Sequence, residues 1–129
     1  MEAKELRIGN LIKYKKGHLS KVKSLDSDNS LMVEGFEDNY INGYYDVCNF
    51  EPIPLTEEWL IKFGLKEHSK WIWRIPLKGN MFLIYDVGTK SVEIGINDSR
   101  TGIAFKCEYP HQLQNLYFAL TGEELTIKE

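Results

Sequence analysis

Ser91-Val92-Glu93-Ile94-Gly95-Ile96 decides the fold class. Val92, Ile94 and Ile96 alternate with Ser91, Glu93 and Gly95, the period of a strand with one buried and one wet face. Three similar runs flank it: Lys70 to Leu77, Met81 to Val87 and Ile103 to Glu108. The breaks are Lys78-Gly79-Asn80, Gly88-Thr89-Lys90 and the longer Asn97-Asp98-Ser99-Arg100-Thr101-Gly102, all good turn chemistry. This spacing predicts a four-stranded antiparallel meander. Trp71, Trp73 and Ile75 share a face and are expected in its core, while Arg74 lies on the opposite face, free to stack or to pair.

A helix is expected on each side of the meander. Downstream, Leu113, Leu116, Tyr117 and Leu120 fall at i, i+3, i+4 and i+7. Pro110 suits the first helical position, and Gly122 can take the left-handed conformation that ends a helix. Nothing from His111 to Leu125 has the residue types of a catalytic or metal site, so the block is read as structural. Upstream, Pro52 and Pro54 mark a boundary, and Thr56 is a good N-cap for a helix that opens with Glu57 and Glu58. Trp59, Leu60 and Phe63 give that helix an apolar face before Gly64 closes it. Barely two turns long, it must dock to be stable.

The first fifty residues read as short strands. Leu6 to Tyr14, Leu19 to Leu25, Leu31 to Val33 and Tyr44 to Phe50 are candidates. Lys15-Lys16-Gly17-His18 and Asp26-Ser27-Asp28-Asn29 are turn clusters. Short strands this close suggest a small SH3-like barrel. The expected architecture is α+β: an SH3-like portion over residues 1–51, then a short helix, the meander and a C-terminal helix over residues 52–129. The two portions can share one core.

The chain has 129 residues, 43% hydrophobic and 27% charged, enough for a core without staples. No apolar run approaches a membrane span, and Met1-Glu2-Ala3-Lys4-Glu5 is not a secretory signal, so a cytoplasmic protein is expected. The net charge of −3 hides an asymmetry: residues 1–25 carry +5, residues 26–58 carry −9, and the remainder carries +1. Neighbouring basic and acidic segments are expected to neutralise each other. The alternative is a phosphate-binding patch built from Lys13, Lys15, Lys16, Lys21 and Lys23.

No motif carries chemistry. His18, His68 and His111 lack partners at metal-ligand spacing and are expected to be solvated or capping. Cys48 and Cys107 fit no zinc pattern and are expected to be buried free thiols. Glu57-Glu58 is helix-start electrostatics rather than an acid/base dyad. No cofactor and no metal are expected, and an enzyme is the least favoured class. The most suggestive signal is aromatic: Tyr40, Tyr44 and Tyr45 in Asp38-Asn39-Tyr40-Ile41-Asn42-Gly43-Tyr44-Tyr45-Asp46. Tyrosines on adaptable loops give large, rigid contact area to a partner; otherwise they cap the barrel end.

Three blocks together carry a resemblance: Glu5-Leu6-Arg7-Ile8-Gly9-Asn10, Ile53-Pro54-Leu55-Thr56-Glu57-Glu58-Trp59-Leu60 with Phe63-Gly64, and His111 to Leu125. In these the chain resembles a family of short uncharacterised proteins of gut anaerobic bacteria, often associated with prophages or mobile elements. The resemblance spans nearly the whole chain and implies no activity, cofactor or catalytic residue. The expected function is therefore a non-enzymatic protein-interaction or accessory module that binds another protein through Tyr40, Tyr44 and Tyr45. The alternative is a weak nucleic-acid binder using the N-terminal lysines.

Overall fold

The computed structural model describes residues 3–15, 17–26, 29–35, 42–97 and 99–128. The fold is α+β, mostly antiparallel strands with two α-helices. It divides into two compact units, Met1–Pro54 with Tyr109–Asn115, and Leu55–Glu108 with Leu116–Glu129.

The first unit holds β1 (Leu11–Tyr14), β2 (Leu19–Leu25), β3 (Ser30–Gly35), β4 (Gly43–Asp46) and β5 (Phe50–Glu51). They form one antiparallel sheet in the order β4-β3-β2-β1-β5, curled into a half-barrel. Leu6, Ile12, Val22, Leu31, Val33, Val47 and Phe50 are its core, with Tyr14 and Tyr45 against them. Two expected strands are shorter than their sequence suggests. Leu6 to Tyr14 narrows to β1 because residues 7–10 turn: the Arg7 N–H donates to Asn10 Oδ1 (2.7 Å), the Asn10 N–H donates to the Arg7 carbonyl, and Gly9 sits at φ 95°. Tyr44 to Phe50 is split because Asp46 accepts from the Cys48 N–H (2.9 Å) and caps a 3₁₀ turn over Val47–Asn49. That hydrogen bond holds the Asp46 carboxyl below its ordinary pKa.

The start of the C-terminal helix, α2 (Pro110–Thr121), belongs to this unit. Polar side chains tie it down. Asn115 Oδ1 accepts from Arg7 Nη1 (2.9 Å) and Asn10 Nδ2 (2.8 Å), and Asn115 Nδ2 donates to the Glu5 carbonyl. Gln114 accepts from the Leu11 N–H (3.0 Å) and donates to the Gly9 carbonyl (3.1 Å). Asn10 and Gln114 are both buried. These bonds satisfy backbone groups that the turn at residues 7–10 leaves outside the sheet ladder.

The second unit begins with α1 (Glu57–Lys62). Thr56 has extended backbone angles, as an N-cap should, but its side chain makes no capping bond. The helix is held instead by Trp59 and Leu60, which are buried, as is Phe63 just beyond it. The second sheet has five strands rather than four: β6 (Lys66–Glu67), β7 (Ile72–Pro76), β8 (Met81–Asp86), β9 (Ser91–Ile96) and β10 (Ser99–Lys106), in the order β10-β9-β8-β7-β6. Register places Trp73 opposite Tyr85, Ile75 opposite Leu83 and Tyr85 opposite Val92, so one face is continuous core. Tyr85 donates to the Cys107 carbonyl (3.0 Å), and burial pushes its phenol pKa up to about 12. Trp71, expected in the core, precedes β7 and is 53% exposed, with Lys70 Nζ 5.1 Å from its ring centroid.

β10 begins four residues earlier than the turn chemistry suggested. Glu93 explains why. Its buried carboxylate is bonded to the Arg100 guanidinium and accepts from the Gly102 N–H (2.9 Å), drawing residues 99–102 onto the sheet. The register shifts between Arg100 and Ala104, with Gly102 at φ 82°. α2 ends as expected: Gly122, at φ 74°, donates its N–H to the Phe118 carbonyl (2.8 Å).

Candidate functional site

The residues singled out in the sequence have different settings. Tyr40 and Lys16 lie outside the described residues. Tyr44 is 66% exposed on β4, while its neighbour Tyr45 points to the other face. There Tyr45 packs edge-on against Tyr14 (5.5 Å between centroids) and Phe50 (6.0 Å), covering the core of the half-barrel. The lysines lie among acids. Lys13 stands opposite Glu51 across β1 and β5, with Nζ 3.1 Å from Oε1. Lys21 stands opposite Glu34, and Lys23 Nζ is 3.3 Å from the same Glu34. Lys15 is exposed. Such pairs add ~0–1 kcal/mol each to stability, but they neutralise this face of the sheet.

Two histidine and cysteine expectations need correction. His111 is neither solvated nor capping. It is 1% exposed, stacked on Tyr109 (5.7 Å between centroids), and neither ring nitrogen has a hydrogen-bond partner. Burial lowers its pKa. Cys107 is a buried free thiol, but Cys48 is exposed because the 3₁₀ turn carries it outward. Among the described residues, no three His, Cys, Asp or Glu side chains are grouped to hold a metal ion.

Two features of the second unit were not evident in the sequence. The first is β10. It ends the sheet, and all eight of its residues are exposed. Ile103 and Phe105 are 64% and 54% exposed. Phe105 stands opposite buried Val92, so it lies on the face that is core elsewhere in the sheet. Ile96, on that face of β9, is also exposed. The hydrogen-bond parity of the strand is fixed by the Cys107 N–H, which donates to the Lys90 carbonyl (2.9 Å). Antiparallel ladders alternate, so the backbone groups of Ala104 and Lys106 point away from β9. The Glu108 carbonyl points the same way and accepts from the Leu55 N–H (3.0 Å). The open stretch of edge therefore runs along Ala104 and Lys106.

The second feature is a groove of about 440 Å³ at the other end of the sheet, lined by Gly64, Lys66, Glu67, His68, Arg74, Pro76 and Phe82. Lys66 stands directly opposite Arg74, and Pro76 opposite Phe82. The Arg74 guanidinium lies 4.7 Å from the Phe82 ring centroid, so Arg74 does stack.

Among the described residues no helix is long and apolar enough to cross a membrane. Comparison of the chain with protein-family models, with curated proteins and with solved structures finds no match.

Proposed function

We propose that this chain is a non-enzymatic interaction module that receives an extended segment of another protein along the open side of β10. The carrying observation is that edge: an eight-residue exposed strand whose Ala104 and Lys106 backbone groups face away from the sheet. Proteins commonly blunt such an edge with short strands, charge or proline. Here Thr101 to Phe105 carry no charge, and Ile103 and Phe105 present apolar surface beside the open groups. An incoming strand gains main-chain hydrogen bonds from the edge and specificity from alternate side chains. Lys106, beside the open backbone groups, favours an acidic, alternately apolar segment.

The first sheet supports a narrower fold reading. We infer an SH3-like barrel, a reading supported by the strand order and by the 3₁₀ turn before the last short strand. The resemblance to prophage-associated proteins adds the context of a mobile-element accessory protein, placed in the cytoplasm. Tyr44 remains a second contact candidate on that unit. The acids opposite Lys13 and Lys21 weigh against the nucleic-acid reading, since a paired lysine releases few counterions.

Affinity capture from bacterial lysate tests this reading with three baits: wild type, Ala104→Pro with Phe105→Lys, and Tyr44→Ala. A protein retained by wild type and Tyr44→Ala but lost from the β10 variant is the expected result. Retention by the β10 variant and loss from Tyr44→Ala would move the surface to the half-barrel.

A further inference from the structure

The open stretch of β10 is short and bounded at both ends. On one side the Gly102 N–H is taken by Glu93 Oε2 (2.9 Å). On the other the Glu108 carbonyl accepts from the Leu55 N–H (3.0 Å). Between these bounds Ala104 and Lys106 turn their backbone groups away from β9, and Phe105 lies midway between them. A two-fold axis through Phe105 therefore sets Ala104 of one copy opposite Lys106 of another, and the reverse. In that register the outward groups form two hydrogen-bonded pairs, and none of them is left over. Neighbouring registers do worse. An axis at Ala104 sets Lys106 opposite Gly102, whose N–H is committed to Glu93. An axis at Lys106 sets the two lysines face to face, and Ala104 opposite Glu108, whose carbonyl is committed to Leu55.

The side chains favour the same register. Phe105 and Ile103 share a face of β10 and are both exposed. With the axis at Phe105 the two phenyl rings meet directly, as a non-hydrogen-bonded pair with Cα atoms about 4.5 Å apart. Ile103 reaches the opposing ring diagonally, and aromatic pairs and aromatic–β-branched pairs are favoured across strands. Arg100 is bonded to Glu93 and lies beyond the paired stretch. The two Lys106 side chains lie diagonal to each other. That contact is repulsive, partly offset by Glu108, whose Oε1 is 3.9 Å from Lys106 Nζ.

We propose, on the premise that β10 is the docking edge, that two copies of this chain pair through it, antiparallel about an axis at Phe105, until an acidic segment displaces the second copy. Pairing joins the two five-stranded sheets into one. Lys106 sets the direction of exchange. An acidic segment turns its contact from repulsion to attraction, so the segment outcompetes the second copy.

Sedimentation equilibrium of the full chain tests this without a variant. Two outward residues per copy make a small interface, so a dimer with Kd of about 0.1–1 mM is expected. It should tighten as salt screens the lysines, whereas docking of an acidic segment should weaken. Lys106→Ala should dimerise several-fold more tightly and lose the salt dependence. Cross-linking reads the register. In a Cys48→Ser background, Phe105→Cys sets two thiols opposite each other at a separation a disulfide accepts, while Ala104→Cys sets them diagonal on the other face. With oxidised glutathione, Phe105→Cys should form the linked dimer about tenfold faster than Ala104→Cys. A chain that stays monomeric to ~1 mM at every salt concentration would overturn the proposal. So would equal cross-linking of the two variants, or a dimer that salt weakens. The two readings fail separately. A chain that captures an acidic partner yet never dimerises sinks the self-pairing alone; one that dimerises through Phe105 but captures nothing sinks the docking alone.

Discussion

The two sheets treat charge in opposite ways. Each has five antiparallel strands and charged side chains paired across neighbouring strands. On the first, the outward lysines meet acids: Lys13 faces Glu51 and Lys21 faces Glu34. On the second, Lys66 faces Arg74. The polar side chains differ in the same sense. In the first unit Asn10, Gln114 and Asn115 are absorbed in tying a helix to a turn. In the second, Glu93 organises the start of β10 and leaves the rest of that strand open. The amide network of Asn10, Gln114 and Asn115 is thus satisfied internally, whereas the open backbone groups of β10 face outward, and that is where a partner is to be sought.

The largest expected effect breaks the first half of this comparison. Gln114→Ala strips the partner from the buried Leu11 N–H and the Gly9 carbonyl. It should cost about 2–3 kcal/mol, read as a lower urea midpoint, because each unsatisfied buried group costs roughly 1–3 kcal/mol. A smaller loss is expected on the second sheet. Glu93→Ala frees Arg100, whose side chain is half exposed and finds water, so about 1–2 kcal/mol should be lost. Its clearer signature is local: amide exchange should accelerate at Arg100 to Ala104 more than in β8.

Next in size is a pH effect in the first unit. His111 is buried, and its folded-state pKa lies below the unfolded value. The unfolded chain therefore binds the proton first as pH falls. The contribution is fully present above the ordinary histidine range and is lost as pH drops through it toward the folded pKa. Between pH 7 and pH 5 stability should fall with a slope of at most ~1.4 kcal/mol per pH unit from this residue. His111→Phe should flatten that slope; an unchanged slope would assign it elsewhere.

Much of this fold was legible from local pattern. β2 matches its expected bounds, Leu19–Leu25, because Gly17 and the Asp26 turn cluster punctuate it clearly. The end of α2 followed from Gly122. What was not legible depended on partners far away in sequence. Asn10 and Gln114 are more than a hundred positions apart, and nothing in either block marks them as members of one network. The alternation of Trp71, Trp73 and Ile75 suggested three core residues, but β7 starts at Ile72 and Trp71 falls outside the pleat. Ile103 to Glu108 reads as a strand in the sequence, yet no periodicity distinguishes the last strand of a sheet from an inner one. Lys66 facing Arg74 needed β6, a two-residue strand too short to leave a pattern. The candidate surfaces were hidden for these reasons, while the tyrosines and lysines stood out by composition alone.

The smallest expected effect is the most direct test of the central claim. Double-mutant cycles to alanine at Lys66/Arg74 and at Lys13/Glu51, measured by urea unfolding at low salt, compare the two sheets on equal terms. The account predicts couplings of opposite sign, each a few tenths of a kcal/mol: repulsive for Lys66/Arg74 and attractive for Lys13/Glu51. An attractive or vanishing coupling at Lys66/Arg74 would contradict it, because the two sheets would then pair charge across strands in the same way.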